Sequence, residues 1–161
     1  MRKHVAMALF CVSLFLGSIP HAMATKLIPF VTDATFPEKI LNTKGFKIIS
    51  AWAIWCPSCN EALPHMQTFY ETHHDKVDVF LLDFDVRQQL HKVLNVNSVP
   101  RYILFLDGVA VGRKRTIKSE QDVIDWVNFY AVKLTGAPHF PDLVSNTAFI
   151  EDAEEDQDSA K

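Results

Sequence analysis

Cys56 and Cys59 stand three positions apart in Trp55-Cys56-Pro57-Ser58-Cys59. Sulfur at that spacing can staple a loop, hold half of a zinc site, or cycle between dithiol and disulfide. A loop closed over so few residues gains little chain entropy, which weakens the staple. Zinc would have to recruit His65, His73 or His74, because the chain has no second close cysteine pair and structural zinc wants four ligands. The local pattern favours cycling. A nearly continuous apolar run, Phe46 to Ala53, leads into the pair, and Leu63, Met66, Phe69 and Tyr70 follow it at helical spacing. Cys56 would then sit where a buried strand hands over to a helix, and the unpaired N–H groups of the helix start favour its thiolate. Cys59, one turn on, could attack a mixed disulfide formed at Cys56.

The elements that must hold this pair follow from periodicity and turn chemistry. Leu27–Val31 reads as a short edge strand, since it contains Pro29, with Thr32-Asp33 capping a helix over about Ala34–Asn42 and Gly45 ending the unit. Phe46–Ala53 is a strand, Cys59–His73 a helix with Pro64 as a kink, Val77–Asp83 a second buried strand, and Val86–Leu94 a helix with Val86, Leu90, Val93 and Leu94 on one side. This alternation implies parallel pairing with helices on the sheet faces. The rhythm then changes to a hairpin, Tyr102–Leu106 and Val109–Gly112 around Asp107-Gly108, and to a last helix from Ser119 to Leu134 with the capping pattern Ser119-x-x-Asp122.

Length and composition bound the rest. The 161 residues suit one domain, and 48% hydrophobic with 22% charged residues describes a globular chain. A net charge of −3 supplies no cationic field, so nucleic acid is not an expected partner. Residues 1–24 have the three parts of a secretory signal: Arg2-Lys3-His4, an apolar run to Ile19, and Ala22-Met23-Ala24 before the cleavage point. That run is too short and too interrupted to span a bilayer, so membrane contact is expected only if the leader is retained, and Cys11 leaves with it. Without Arg2 and Lys3 the charge of −3 becomes −5, all of it in residues 151–161, where six acids face one lysine. Such an end reads as solvated and disordered. Three segments result: a signal peptide, 1–24; a domain, 25–135; and an extension, 136–161. In the last, residues 142–150 are expected to pack back on the domain.

Together, Trp55-Cys56-Pro57-Ser58-Cys59, Trp52, Pro64, Val99-Pro100, Asp107-Gly108 and the terminal helix resemble the thioredoxin family, over about Leu27 to Leu134. The resemblance implies an α/β thioredoxin fold, a central mixed sheet flanked by helices on both faces. It also implies a cis Pro100 facing the cysteines, a Val99 backbone that hydrogen-bonds a bound peptide, and an apolar client surface with Trp55 and Pro57 beside it. The forty residues between Cys59 and Pro100 leave room only for a minimal domain of this kind.

The expected function is thiol–disulfide exchange with protein clients in the periplasm or secretory space, catalysed by Cys56 and Cys59 by a monomer with no cofactor and no metal, recharged by an unidentified redox partner. The alternative is a non-enzymatic binding or assembly module of the cell envelope. One departure bears on mechanism: where the family has a buried acid six positions before the first cysteine, this chain has Ser50. Asp83 is the candidate substitute. Pro57-Ser58 lacks the histidine of strongly oxidising relatives. Arg101 and Arg113-Lys114-Arg115 are expected to be solvated charges on strand ends.

Overall fold

The structure, a computed structural model, describes residues 26–86 and 89–143; the leader at 1–24, the stretch 144–150 and the acidic end at 151–161 lie outside the described residues. Its sheet contains β1 (Phe46–Trp52), β2 (Val77–Asp83), β3 (Arg101–Leu106) and β4 (Val109–Lys114), in the order β2-β1-β3-β4. β1 pairs parallel with β2 and antiparallel with β3, and β3 pairs antiparallel with β4. The sheet is therefore mixed. Three helices accompany it: α1 (Pro57–His73), α2 (Gln89–Val93) and α3 (Glu120–Thr135).

Side-chain alternation along β1 divides the core. Phe46 and Ile48 face α1 and α3, where Met66, Phe69, Val123, Trp126 and Val127 cover them. Ile49 and Ala51 face the other way, onto Phe36, Ile40, Leu90 and Leu94. Both faces of β1 are buried, so its sequence lacks the apolar–polar alternation of a half-exposed strand. Helices thus cover both faces, as expected, and the described core clusters draw on residues 28 to 140.

The hairpin turns where Asp-Gly was expected to turn it. Asp107 has φ 53 and Gly108 φ 85, the two left-handed positions that match the strand twist. A Cβ on Gly108 would also collide with the Leu41 carbonyl oxygen. At α3, Ser119 caps as expected, its side chain accepting the Asp122 N–H at 3.1 Å, and Gly136 closes the helix with φ 82.

Four expectations need correction. Leu27–Val31 makes only an isolated bridge, Phe30 to Leu81, rather than a strand; Pro29 has no N–H to extend the ladder. The helix expected over 34–42 is a turn at Thr32–Thr35 followed by a π-helical turn, Pro37–Leu41. Thr43 Oγ1 then donates to the carbonyls of Lys39 and Ile40, which ends that turn. Asp33 does not cap it: its carboxylate accepts the N–H groups of Gln89 and Leu90, at 2.8 and 2.9 Å, and so caps α2. Val86 lies in the loop before α2 and Val93 is exposed, so only Leu90 and Leu94 of the expected apolar side are buried. Packing continues beyond residue 135. Phe140 is 1% exposed, and the buried Asn128 accepts its N–H at 2.7 Å and donates to its carbonyl at 3.3 Å.

Candidate active site

β1 delivers its chain end to the first turn of α1, and the cysteines lie at that junction. Cys56 is the residue that caps α1 and Pro57 occupies its first turn, where a missing N–H is no loss. The helix runs unbroken through Pro64. Asn60 Nδ2 donates to the Ile54 carbonyl at 2.9 Å and ties the entry loop to the helix. Cys56 and Cys59 form a disulfide, with Cα atoms 5.2 Å apart.

The electrostatics favour charge on the first sulfur. Cys56 Sγ accepts the Cys59 N–H at 3.2 Å and lies 3.9 Å from Ser58 Oγ. When the bond opens, the same donor and the helix start stabilise a thiolate there. Ala53 packs with the two cysteines, and Trp52, Phe84 and Val99 lie against that cluster. The Val99–Pro100 peptide bond is cis, as the resemblance implied.

Around the buried disulfide runs an exposed apolar rim. Ile54 is 72% and Trp55 60% exposed, and Pro57 is exposed beside them. The Trp55 indole is nonetheless held: Nε1 donates to both Asp85 oxygens, at 2.8 and 3.0 Å, and its ring meets Phe84 edge-on at 6.3 Å. Asp85 and Phe84 were not foreseen, because nothing in Phe84-Asp85 tells which side chain thirty residues upstream it will meet. On the other side a cleft of about 450 Å³ opens between Ser58, Glu61 and His65 of α1, Pro100, and the segment Arg115–Lys118. The fold thus brings Cys56, Cys59, Val99 and Pro100 together, with Trp55 and Pro57 on the rim.

The position of the family's buried acid is taken by a serine. Ser50 is buried in β1 between Leu81 and Tyr102. Burial, aided by Asp122, pushes the Tyr102 phenol well above its ordinary range, so it stays neutral. Asp83 is a brace: its Oδ1 accepts the Asp85 N–H at 2.9 Å. It thereby shapes the loop that holds Trp55.

The basic side chains also depart from expectation. Lys114 is buried and pairs with Asp122 at 2.9 Å, and Arg113 donates to the Leu94 carbonyl at 2.7 Å, tying β4 to the end of α2. Arg115 is exposed at the cleft. Two of the histidines weighed as zinc partners are engaged at the other end of α1, while His65 lines the cleft. His73 Nε2 lies 3.4 Å from Glu120, and His74 Nδ1 lies 3.0 Å from the Tyr70 carbonyl at the end of α1. Among the described residues no cluster of three metal-binding side chains forms, and no helix is long and apolar enough to cross a membrane.

The thioredoxin family profile matches residues 28–129, more than half of the chain. The thioredoxin of Rickettsia typhi is 28% identical over 98 residues, 61% of this chain and 93% of its own length. That of Rhodospirillum rubrum is 28% identical over 97 residues, 60% and 93% of the two chains. The thioredoxin of Alicyclobacillus acidocaldarius is 35% identical over 78 residues, 48% of this chain and 73% of its own. With a mixed sheet, a disulfide at the start of α1 and a cis proline beside it, the chain belongs to the thioredoxin family and is a thiol–disulfide oxidoreductase carrying a Cys56–Cys59 pair.

Proposed function

We propose that the chain exchanges disulfides with protein clients in an exported compartment, periplasmic or secreted, with Cys56 attacking and Cys59 resolving. In the reducing direction the Cys56 thiolate attacks a client disulfide. A Cys56–client bond forms, and the other client sulfur leaves as a thiolate and takes a proton. Cys59, deprotonated, attacks the Cys56 sulfur, the Cys56–Cys59 bond closes, and the second client sulfur departs. Two electrons pass to the client and the reverse sequence oxidises a dithiol. Trp55, Pro57, Val99 and Pro100 form the groove that receives the client backbone and its apolar side chains.

The observation that carries this reading is the Cys56 sulfur at the α1 start, accepting the Cys59 N–H beside Val99, whose bond to Pro100 is cis. Ser50 holds no charge at neutral pH, so the residue at the position of the family's buried acid does not take the Cys59 proton. Export rests on the leader sequence of residues 1–24.

Residues 25–161 with a dithiol reductant should turn over the insulin disulfides. Cys56→Ser should fall to the uncatalysed rate, and Cys59→Ser should accumulate a mixed disulfide visible on a non-reducing gel. Parent-like behaviour of both variants would leave the envelope binding module as the function. Recovery of the chain from the cytosol with Met1 intact would remove the export claim.

A further inference from the structure

Arg113 and Lys114 end β4 side by side, and we propose that they are positioning residues of the client groove, each setting one of its walls. The effect on clients rests on the function proposed above; the tethering itself does not. Neighbouring strand residues point to opposite faces of a sheet. Arg113 pairs in register with Ile103, whose side chain belongs to the core under α2, and Lys114 with Tyr102, whose side chain belongs to the core under α1 and α3. One strand end therefore sends a cation to each side of the sheet. On the first side, Arg113 Nη1 donates to the Leu94 carbonyl at 2.7 Å. Leu94 follows α2, and the chain turns through Asn95, at φ 50, into the loop that ends at Val99 and the cis bond to Pro100. Arg113 thus holds the start of that loop, while Val99 packs on the Cys56–Cys59 cluster at its end. On the second side, Lys114 Nζ lies 2.9 Å from Asp122 Oδ1, and Asp122 Oδ2 accepts the Lys118 N–H at 2.9 Å. Residues 115–118 are thereby pinned at both ends, with Ile117 buried, and they line the cleft together with Ser58, Pro100 and Tyr102.

Neither cationic head is needed to fill space. A buried ion pair such as Lys114–Asp122 gains little net stability, because desolvation offsets the attraction. A charged hydrogen bond of fixed length and direction does hold two segments at one separation. A client backbone that enters the cleft beside Val99 and Pro100 meets residues 115–118, so that separation governs its fit. The basic run at the end of β4 is therefore a frame for the groove.

The test places Arg113→Met and Lys114→Met, which keep an unbranched stem and lose the cation, separately in residues 25–161. Each should lose about tenfold in kcat/KM on insulin, carried by KM. The reaction of the reduced protein with dithiodipyridine, a small neutral disulfide that needs no groove, should stay within about twofold of the parent. In the oxidised proteins the Val99 amide resonance should move in Arg113→Met and those of residues 116–118 in Lys114→Met, each wall answering to its own cation. A purely structural role would lower the urea midpoint and leave the kcat/KM of the folded variants at the parent value; that result overturns the proposal. An equal loss on both disulfides also overturns it, since the defect then lies at the sulfurs. Should a methionine variant fail to fold, Arg113→Lys and Lys114→Arg, which keep a donor at a different length, should show the same split at about threefold, and parent kinetics in them overturns the proposal. A parent that leaves insulin intact would sink the client reading instead. The spectra then decide, and unmoved Val99 and Lys118 resonances overturn the tethering.

Discussion

The two ends of the sheet solve opposite problems. At the redox end, Ile54 and Trp55 stay exposed, and the buried Trp52 Nε1 finds no acceptor among the described residues. At the far end, where β1 and β2 begin, Phe140 is sealed against Phe69, His73 and His139, and Asn128 is wholly buried with both ends of its amide bonded to the Phe140 backbone. Burying apolar surface and pairing polar groups is what stabilises a fold. An apolar rim left open is spent on contacts with another molecule. The exposed rim and the sealed corner thus lie at opposite ends of β1.

The comparison breaks first at Phe140. Phe140→Ala removes a ring packed in that corner and should destabilise the domain by about 3–5 kcal/mol, read as a lower urea midpoint with an unchanged slope. Disulfide exchange per folded molecule should stay at the parent rate; a matching loss would mean the ends are coupled. Trp55→Ala should behave inversely. Client contact through an exposed aromatic should be worth about 1.4 kcal/mol, a tenfold drop in kcat/KM on a protein disulfide, with stability within about 0.5 kcal/mol of the parent. Retained kcat/KM would remove Trp55 from the client surface.

The smallest effect is expected at the hairpin of the far end. The Gly45 N–H, with Lys44 and Lys47 assisting, holds the Asp107 carboxyl below its ordinary 3.8. A carboxyl depressed in the folded state adds stability that is complete above the unfolded value and disappears as pH falls through the folded one. Asp107→Asn keeps a side chain tolerant of positive φ and removes that titration. Its stability should decline less steeply than the parent's below about pH 4. Equal acid slopes would show that Asp107 is not linked to folding.

Legibility followed the range of the interaction. β1, β2, the Asp107-Gly108 turn and the Ser119 cap all depend on residues within a few positions of one another, and each lies where the pattern placed it. Asp33 misled because its cap is spent on Gln89 and Leu90, more than fifty residues away. The Trp55–Asp85 bond, the Arg113–Leu94 tie and the Asn128–Phe140 latch are unreadable for the same reason. In each, the donor's type is visible in the chain and its partner is not.

By itself, the order of residues determined which atoms react. A cysteine where an apolar run meets a helical pattern, with its partner one turn on, is a local arrangement that backbone geometry forces. Only the tertiary structure decided what surrounds those atoms: Ser50 buried beside Tyr102, Asp85 steadying the exposed indole, and a cleft between α1, Pro100 and the segment Arg115–Lys118. Those neighbours meet through sheet register and helix packing, which join positions the chain keeps far apart.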